Sequence, residues 1–144
     1  MTRILVLGST GLVGQDLIRI LKKNDYLNID HGTRHNLEEC LNELEDYDVI
    51  FNCANNEVSK KVIEKLNKIP DGVFRPIYID NSSHLRYQED IPLVVPEINM
   101  TKAEIYANPN CVTIILCLFL NQVKKFSPKN IKVSTYQSIS GAGK

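Results

Sequence analysis

The fold is decided by residues 4–14, which read ILVLGSTGLVG. The apolar, β-prone run Ile4–Leu7 predicts a buried parallel strand that ends at Gly8. From Leu12 to Lys23 apolar residues recur at helical spacing, which predicts a helix. A G-x-x-G-x-x-G turn joins the two elements and would let backbone N–H groups approach a pyrophosphate. The segment therefore predicts a nucleotide-binding turn, with a glycine-rich turn that binds no ligand as the alternative.

The candidate cofactor-binding residues of this turn are Gly8, Ser9, Thr10, Gly11, Leu12, Val13 and Gly14. The expected apolar face of the helix consists of Leu12, Val13, Leu17, Ile18, Ile20 and Leu21.

The rest of the chain alternates between predicted strands and helices. The further predicted strands are Leu27–Ile29, Asp48–Cys53, Ile77–Ile79, Leu93–Val95 and Ile105–Ala107. The further predicted helices are residues 37–44, residues 58–66, and an apolar, buried helix from Cys111 to about Phe126. This alternation predicts an α/β fold of the doubly wound, Rossmann-like type, a parallel sheet with helices on both faces.

A turn-forming stretch at residues 127–130 predicts a domain boundary. Residues 1–128 are expected to form a dinucleotide-binding domain that includes the helix starting at Cys111. Residues 129–144 are expected to form the first strand, Ile131–Gln137, and the glycine-rich loop of a second domain that is otherwise missing. That strand would then be an exposed sheet edge.

Composition excludes several classes of function. Seventeen basic and seventeen acidic residues among 144 leave a formal net charge of zero, so no basic surface favours nucleic acid or membranes. The four cysteines form no C-x-x-C pair, which argues against a metal site or a disulfide framework and favours a reducing compartment. The sequence shows no signal peptide and no membrane-spanning segment, so we expect a cytoplasmic protein.

Two residues near the second predicted strand bear on the choice of nucleotide. Asp30 lies near where an acidic residue would hold the ribose hydroxyls of NAD, whereas Arg34 could accept the 2′-phosphate of NADP. Either residue could also be a solvated loop charge.

The segment 108–113 places Cys111 at the start of a helix, directly after a Pro-Asn turn. A thiol at this position meets the positive end of the helix dipole, which favours the reactive thiolate. The alternative is a buried structural cysteine, which is the usual role of this residue type and fits Cys40, Cys53 and Cys117 well.

Arg86 follows the fourth predicted strand and is therefore expected at the carboxyl edge of the sheet, where doubly wound folds bind ligands. A guanidinium there could hold a phosphate or a carboxylate. The alternative is an ordinary exposed arginine.

Together these segments resemble the aspartate-semialdehyde dehydrogenase family. The matching stretches, which occur in the same order, are residues 8–14, 80–86, 92–99, 107–113 and 134–144. The resemblance implies an enzyme that interconverts L-aspartate 4-semialdehyde and 4-phospho-L-aspartate through a cysteine thioacyl intermediate. It implies NADP as cofactor, with NAD possible, phosphate as co-substrate, and a role in lysine, threonine and methionine biosynthesis. For a full-length enzyme it also implies a homo-oligomer.

The resemblance also implies roles for single residues. Cys111 would be the nucleophile, Asn110 would position the reacting carbonyl, and Gln137 would hydrogen-bond the covalent intermediate. Arg86 would bind the phosphate. The further residues implied are Ser140 and Gly141 near the substrate and Arg34, Asn55, Asn81, Gly141 and Ala142 near the cofactor. The general-base histidine and the carboxylate-binding arginine of the family have no counterpart among the 144 residues.

Two other functions are considered. The chain could be a dinucleotide-binding module without catalysis, or an enzyme like N-acyl-glutamyl-phosphate reductase, which uses the same thiol chemistry. A short-chain dehydrogenase is excluded because none of the six tyrosines is followed four residues later by lysine.

Overall fold

The glycine-rich turn follows a strand that lies inside a parallel sheet. A computed structural model describes residues 1–136, and within them five strands pair in the order β2-β1-β3-β4-β5, all parallel. The strands are β1 (Ile4–Leu7), β2 (Ile29–Gly32), β3 (Val49–Asn52), β4 (Ile77–Asp80) and β5 (Ile105–Ala107). The helices are α1 (Leu12–Lys23), α2 (Leu37–Asn42), α3 (Asn56–Leu66), α4 (Pro96–Asn99) and α5 (Cys111–Val123), with 3₁₀ turns at Leu44–Asp46 and Lys124–Phe126.

The sheet is packed on two faces by the helices that connect its strands. Ile4 and Val6 of β1 pack with Ile18 of α1 on one face. The opposite face carries a larger cluster that is shared with α2 and α3. Its members include Leu5, Leu7, Leu41, Ile50, Val62, Leu66 and Tyr78. The doubly wound, Rossmann-like α/β fold is thereby confirmed for the described residues.

The strand order places a switch point between β1 and β3. The chain leaves β1 toward β2 on one side and then returns to pair β3 on the other, with Leu7 opposite both Gly32 and Asn52. The loops that follow these strands therefore diverge at the carboxyl edge and leave a crevice there, where open α/β sheets bind their ligands.

Two predicted strands differ in the structure. The second strand begins at Ile29 rather than Leu27, because pairing starts where Ile29 lies opposite the first residue of β1. Leu93–Val95 forms only an isolated bridge from Leu93 to Ala107. Prolines flank this segment on both sides and have no N–H to donate, so the ladder does not continue.

The apolar face of α1 is narrower than predicted. Ile18 is buried, whereas Leu12 and Val13 are 73% and 52% exposed and Ile20 is also exposed. The helix begins beyond the carboxyl edge, so its first turn has no strand beneath it. Leu12 and Val13 instead lie at the N-terminus of the helix, directly after the glycine-rich turn.

The contacts divide the chain into two units, the first ending at Pro109 and the second beginning at Asn110. This division lies before the predicted boundary at residue 128. Within the second unit α5 forms as predicted, but none of its residues is buried, because the described part of this unit supplies no second layer. Residues 131–136 form no strand, since the described residues of this unit offer no strand to pair with. The assignment of a second domain stays a prediction.

No helix among residues 1–136 is long and apolar enough to cross a bilayer.

Candidate nucleotide site and cysteine

The turn after β1 is held on both sides by its neighbouring strands. The backbone N–H groups of Gly8 and Ser9 donate to the Gly32 carbonyl at 2.9 and 3.1 Å. On the other side, Gly8 has a φ of 75°, and a Cβ there would lie 2.8 Å from the Ala54 nitrogen. The glycine is therefore required both by its backbone conformation and by the close approach of the loop after β3.

The other two glycines differ in what the protein demands of them. A Cβ on Gly14 would overlap the Gly8 carbonyl oxygen and lie 2.9 Å from the Ser9 Cα, so the fold itself excludes a side chain. A Cβ on Gly11 would meet only the Gly8 oxygen, at 3.3 Å. Gly11 is thus the least constrained of the three glycines.

The N-terminus of α1 has backbone N–H groups that lack a hydrogen-bond acceptor among the described residues. Gly11 is the N-cap and supplies no side-chain acceptor. Among the described residues, the N–H groups of Thr10, Leu12 and Val13 have no hydrogen-bond acceptor. Unpaired N–H groups at the positive end of a helix dipole form an anion site. These residues fit the pyrophosphate of a dinucleotide.

The structure separates the two candidates for nucleotide choice. Asp30 lies inside β2, and Arg3 binds its carboxylate through Nε and Nη2 at 3.0 and 2.9 Å. This hydrogen bond to Asp30 raises the pKa of Arg3. Arg34 follows the carboxyl end of β2, is exposed, and forms no ion pair with any described residue. Of the two candidates, Arg34 is therefore the one without an ionic partner in the described part of the chain, and its role toward a nucleotide stays a prediction.

The two asparagines expected near the cofactor both have structural partners. Asn55 caps α3 by accepting a hydrogen bond from the Val58 N–H at 3.1 Å. Asn81 accepts from the Asn108 side chain at 2.6 Å and so joins the loops after β4 and β5. Their amide N–H groups form no hydrogen bond with the described residues. Their role toward a cofactor stays a prediction.

Arg86 is half-buried rather than an ordinary surface arginine. Its Nε donates to the Asn108 carbonyl at 2.9 Å and its Nη2 to the Asn81 carbonyl at 3.0 Å. The guanidinium is therefore held rigidly at the carboxyl edge of the first unit, while Nη1 has no partner among the described residues. A fixed guanidinium with donors left over suits a phosphate or a carboxylate.

Cys111 is the first residue of α5 and is exposed. Its neighbour Asn110 is the N-cap, and the Asn110 Oδ1 accepts from the Val112 N–H at 2.9 Å. The Cys111 Sγ lies 3.8 Å from the same oxygen. Burial, by contrast, raises the pKa of the Cys53 thiol to about 11 and also raises that of Cys40.

A further group at the carboxyl edge belongs to the matching stretch 80–86 but was not singled out from the sequence as a site residue. Asp80 is completely buried and accepts hydrogen bonds from three other residues, Asn52, Ser59 and Ser82. The signals that could have found it are its position at the end of a predicted strand and its place at the start of the stretch 80–86. Four of the expected site residues, Gln137, Ser140, Gly141 and Ala142, lie outside the described residues, and their roles stay predictions.

The fold and the glycine-rich turn define a nucleotide-binding domain of the doubly wound class. A family model described as the NAD binding domain of semialdehyde dehydrogenase matches residues 23–106. The chain therefore belongs to the semialdehyde dehydrogenase family, whose NAD-binding domain it carries. This is a family of oxidoreductases, and its domain indicates a nucleotide cofactor.

The relatives have one name in common. The aspartate-semialdehyde dehydrogenases of Rickettsia bellii and Helicobacter pylori strain J99 are 35% and 34% identical to this chain, over 98% and 97% of its length. The alignments span 47% and 46% of those proteins, so the chain covers about half the length of these relatives. The resemblance predicted from the sequence is confirmed.

Solved structures agree. Aspartate semialdehyde dehydrogenase II of Vibrio cholerae, complexed with ASA, superimposes with a TM-score of 0.69 at 25% identity, over 85% of this chain and 46% of that one. The enzyme of Francisella tularensis has a TM-score of 0.71 at 19% identity, over 88% and 42%, which shows the fold alone.

Proposed function

We propose that the chain is the part of an NADP-dependent aspartate-semialdehyde dehydrogenase that binds the cofactor and bears the nucleophile. The observation that carries this proposal is the exposed Cys111 thiol at the first turn of α5, in a chain whose relatives carry that name. The protein would then interconvert L-aspartate 4-semialdehyde and 4-phospho-L-aspartate in the cytoplasm, as a homo-oligomer, for lysine, threonine and methionine biosynthesis.

The cofactor would be held mainly by the turn after β1. The free N–H groups of Thr10, Leu12 and Val13 would bind its pyrophosphate, and Gly11 would allow the close approach. Arg34 would pair with a 2′-phosphate, since Asp30 is already bound by Arg3. This arrangement supports NADP over NAD.

The reaction needs a nucleophile, an anion site and a nicotinamide. The Cys111 thiolate would attack the aldehyde carbon and form a carbon–sulfur bond. When bound beside this cysteine, an oxidised nicotinamide would supply the hydride acceptor for the two-electron oxidation of this adduct to a thioester. Phosphate would then attack the thioester carbon, the carbon–sulfur bond would break, and the thiolate would leave.

The remaining side chains would orient these groups. Arg86, held by two main-chain carbonyls, would bind the incoming phosphate with its spare donors. Asn110 has its oxygen engaged with the Val112 N–H, which leaves its amide N–H groups for the substrate carbonyl. Such a donor would stabilise the charge that develops on that oxygen.

A nucleotide-binding module without turnover is the second candidate, because the unpaired N–H groups of the turn account for cofactor binding whereas no described residue is assigned as the general base. General-base catalysis raises a reaction rate by about 10²–10⁴-fold, so a protein without a general base would turn over correspondingly more slowly.

The test is phosphate-dependent reduction of NADP⁺ by aspartate semialdehyde, measured on the natural polypeptide. We expect Cys111→Ala to abolish the reaction while leaving NADPH binding intact. Cys117→Ala, in the same helix, is the matched control and should retain activity. A folded protein that binds NADPH but shows no turnover would favour the binding module, and full activity in Cys111→Ala would refute the nucleophile.

A further inference from the structure

A buried polar cluster lies beneath the loops of the carboxyl edge and has no part in the proposed chemistry. We call it the Asp80 cluster, and its members are Asn52, Ser59, Asp80 and Ser82. The first three are completely buried, and Ser82 is 7% exposed. No described cation pairs with the carboxylate of Asp80. A buried charge without a counter-ion is costly and persists only when donors satisfy it.

The two carboxylate oxygens of Asp80 have different kinds of donor. Oδ1 accepts from the Asn52 side-chain amide at 2.8 Å and from the Ser82 backbone N–H at 2.9 Å. Oδ2 accepts from the hydroxyls of Ser59 and Ser82 at 2.7 and 2.8 Å. An N–H can only donate, whereas a hydroxyl can turn and accept instead. The bonds to Oδ1 are therefore the ones that demand an acceptor.

The Asn52 bond leads toward the nucleotide-binding turn. The Oδ1 of Asn52 accepts from the Ala54 N–H at 3.0 Å and so fixes the start of the loop after β3. Ala54 is the residue against which Gly8 packs without room for a Cβ. Asn52 is thus bonded both to Asp80 and to a residue against which the turn packs.

The Ser82 bond leads toward Arg86. The Ser82 hydroxyl accepts from the His84 N–H at 3.2 Å, which shapes the loop after β4. Arg86 lies four residues beyond Ser82 in the same segment and donates to the carbonyl of Asn81. One carboxylate oxygen therefore links the loop after β3, against which the turn after β1 packs, to the loop after β4, which carries Arg86.

We propose that Asp80 is a positioning residue, whose Oδ1 holds the loop after β3 and the loop after β4 in the one arrangement that binds the dinucleotide and orients Arg86. The inference rests on the proposed function for its ligands. All the contacts on which the inference rests lie within the first unit of the chain.

The test measures the Kd for NADPH in variants of the natural polypeptide that lose bonds to Oδ1 or bonds to Oδ2 of Asp80. Asp80→Ala leaves the buried donors of Asn52 and Ser82 without an acceptor, and Asn52→Ala removes the bonds that join Asp80 to the loop after β3. We therefore expect each variant to raise the Kd for NADPH about tenfold or more. Ser59→Ala removes only a bond to Oδ2 and should leave the Kd unchanged. Asp80→Asn should restore binding close to the wild-type value, because an amide oxygen still accepts at Oδ1 and the hydroxyls can turn toward the amide N–H.

Hydrogen exchange supplies a second readout that needs no cofactor. The amides of Ala54 and Ser82 should exchange faster in Asp80→Ala and keep their protection in Ser59→Ala. Val62→Ala is the matched control, because it lowers the Tm through the buried face of α3 and should not alter the Kd. Should Asp80→Ala fail to fold, Asn52→Ala carries the test.

The outcomes separate the inference from the function on which it rests. Wild-type affinity and protected Ala54 and Ser82 amides in Asp80→Ala or Asn52→Ala would overturn the inference. A rise in Kd with Val62→Ala equal to that with Asp80→Ala would also overturn it, by showing a general loss of stability. If the wild-type protein itself does not bind NADPH, the proposed function fails, and amide exchange still decides whether Asp80 holds the two loops.

Discussion

The four cysteines show how surroundings decide the chemistry of one residue type. Cys40 is buried, Cys53 and Cys117 are half-buried, and Cys111 is exposed at the end of a helix. Desolvation raises the pKa of Cys53 to about 11, since burial disfavours the thiolate. At pH 8 only about one Cys53 thiol in a thousand is then ionised.

We therefore expect iodoacetamide to label Cys111 well before Cys53 or Cys40 in the folded protein, as peptide mass mapping would show. A raised pKa means less thiolate at any given pH, so Cys53 labelling should remain slow at pH 8 and increase as the pH approaches 11. Labelling in urea, where all four thiols are exposed, is the control. Equal rates for Cys53 and Cys111 in the folded protein would contradict the burial argument.

The charges beside β2 differ in the same way. Asp30 forms an ion pair with Arg3, whose guanidinium carbon also lies 4.4 Å from the ring centre of Tyr47. Arg34 has no ionic partner among the described residues. A free guanidinium can form charge-assisted bonds with a phosphate.

Arg34→Gln should therefore raise the Kd for NADPH about tenfold and leave the Kd for NADH nearly unchanged, as measured by nucleotide fluorescence. Arg19→Gln, an exposed arginine on α1 that pairs with Asp16, is the matched control and should alter neither value. An equal loss of affinity for both nucleotides would remove Arg34 from the choice between them.

At the scale of elements, α1 and the turn before it satisfy two separate requirements. Gly8 and Gly14 are demanded by contacts within the protein, whereas Gly11 meets a single oxygen at 3.3 Å. The open position is also the helix N-cap, beside the unpaired N–H groups. The spacing of glycines alone does not tell these roles apart, because the distinction depends on which backbone lies next to each residue.

Gly14→Ala should destabilise the fold by about 1–3 kcal/mol, because its Cβ would overlap backbone atoms. Gly11→Ala should change stability by about 1 kcal/mol or less and yet weaken NADPH binding, because the methyl group would occupy the approach of the pyrophosphate. Urea unfolding and nucleotide titration measure the two effects. NADPH binding as tight as wild type in Gly11→Ala would refute this placement of the pyrophosphate.

Elements also show where local pattern reaches its limit. Leu93–Val95 has a strand's composition, and its backbone does bond to β5, through the Val94 N–H to the Ala107 carbonyl at 3.0 Å. Flanking prolines stop the ladder after a single bridge. Residues 131–136 alternate like a strand but remain unpaired among the described residues, because a strand is defined by its neighbour.

At the scale of the whole sheet, strand order assembles the site. The order places β1 between β2 and β3, so that loops distant in sequence meet at one edge. The Arg86 bond to Asn108 spans 22 residues, and the Asn52 bond to Asp80 spans 28. These contacts join three successive strand ends, which explains why a candidate site can be built from residues that no single short motif contains.

The sequence by itself determined the class of fold, the glycine-rich turn between β1 and α1, the cysteine at a helix start and the family. Those features depend on short-range patterns, namely apolar periodicity, glycine spacing and capping residues, and their physical causes act within a few residues. Only the tertiary structure decided that Asp30 forms an ion pair with Arg3, that Leu12 and Val13 are exposed, and that Asp80 lies buried beneath two loops. Burial and ion pairing depend on which distant segments come together, and a local pattern carries no record of those partners.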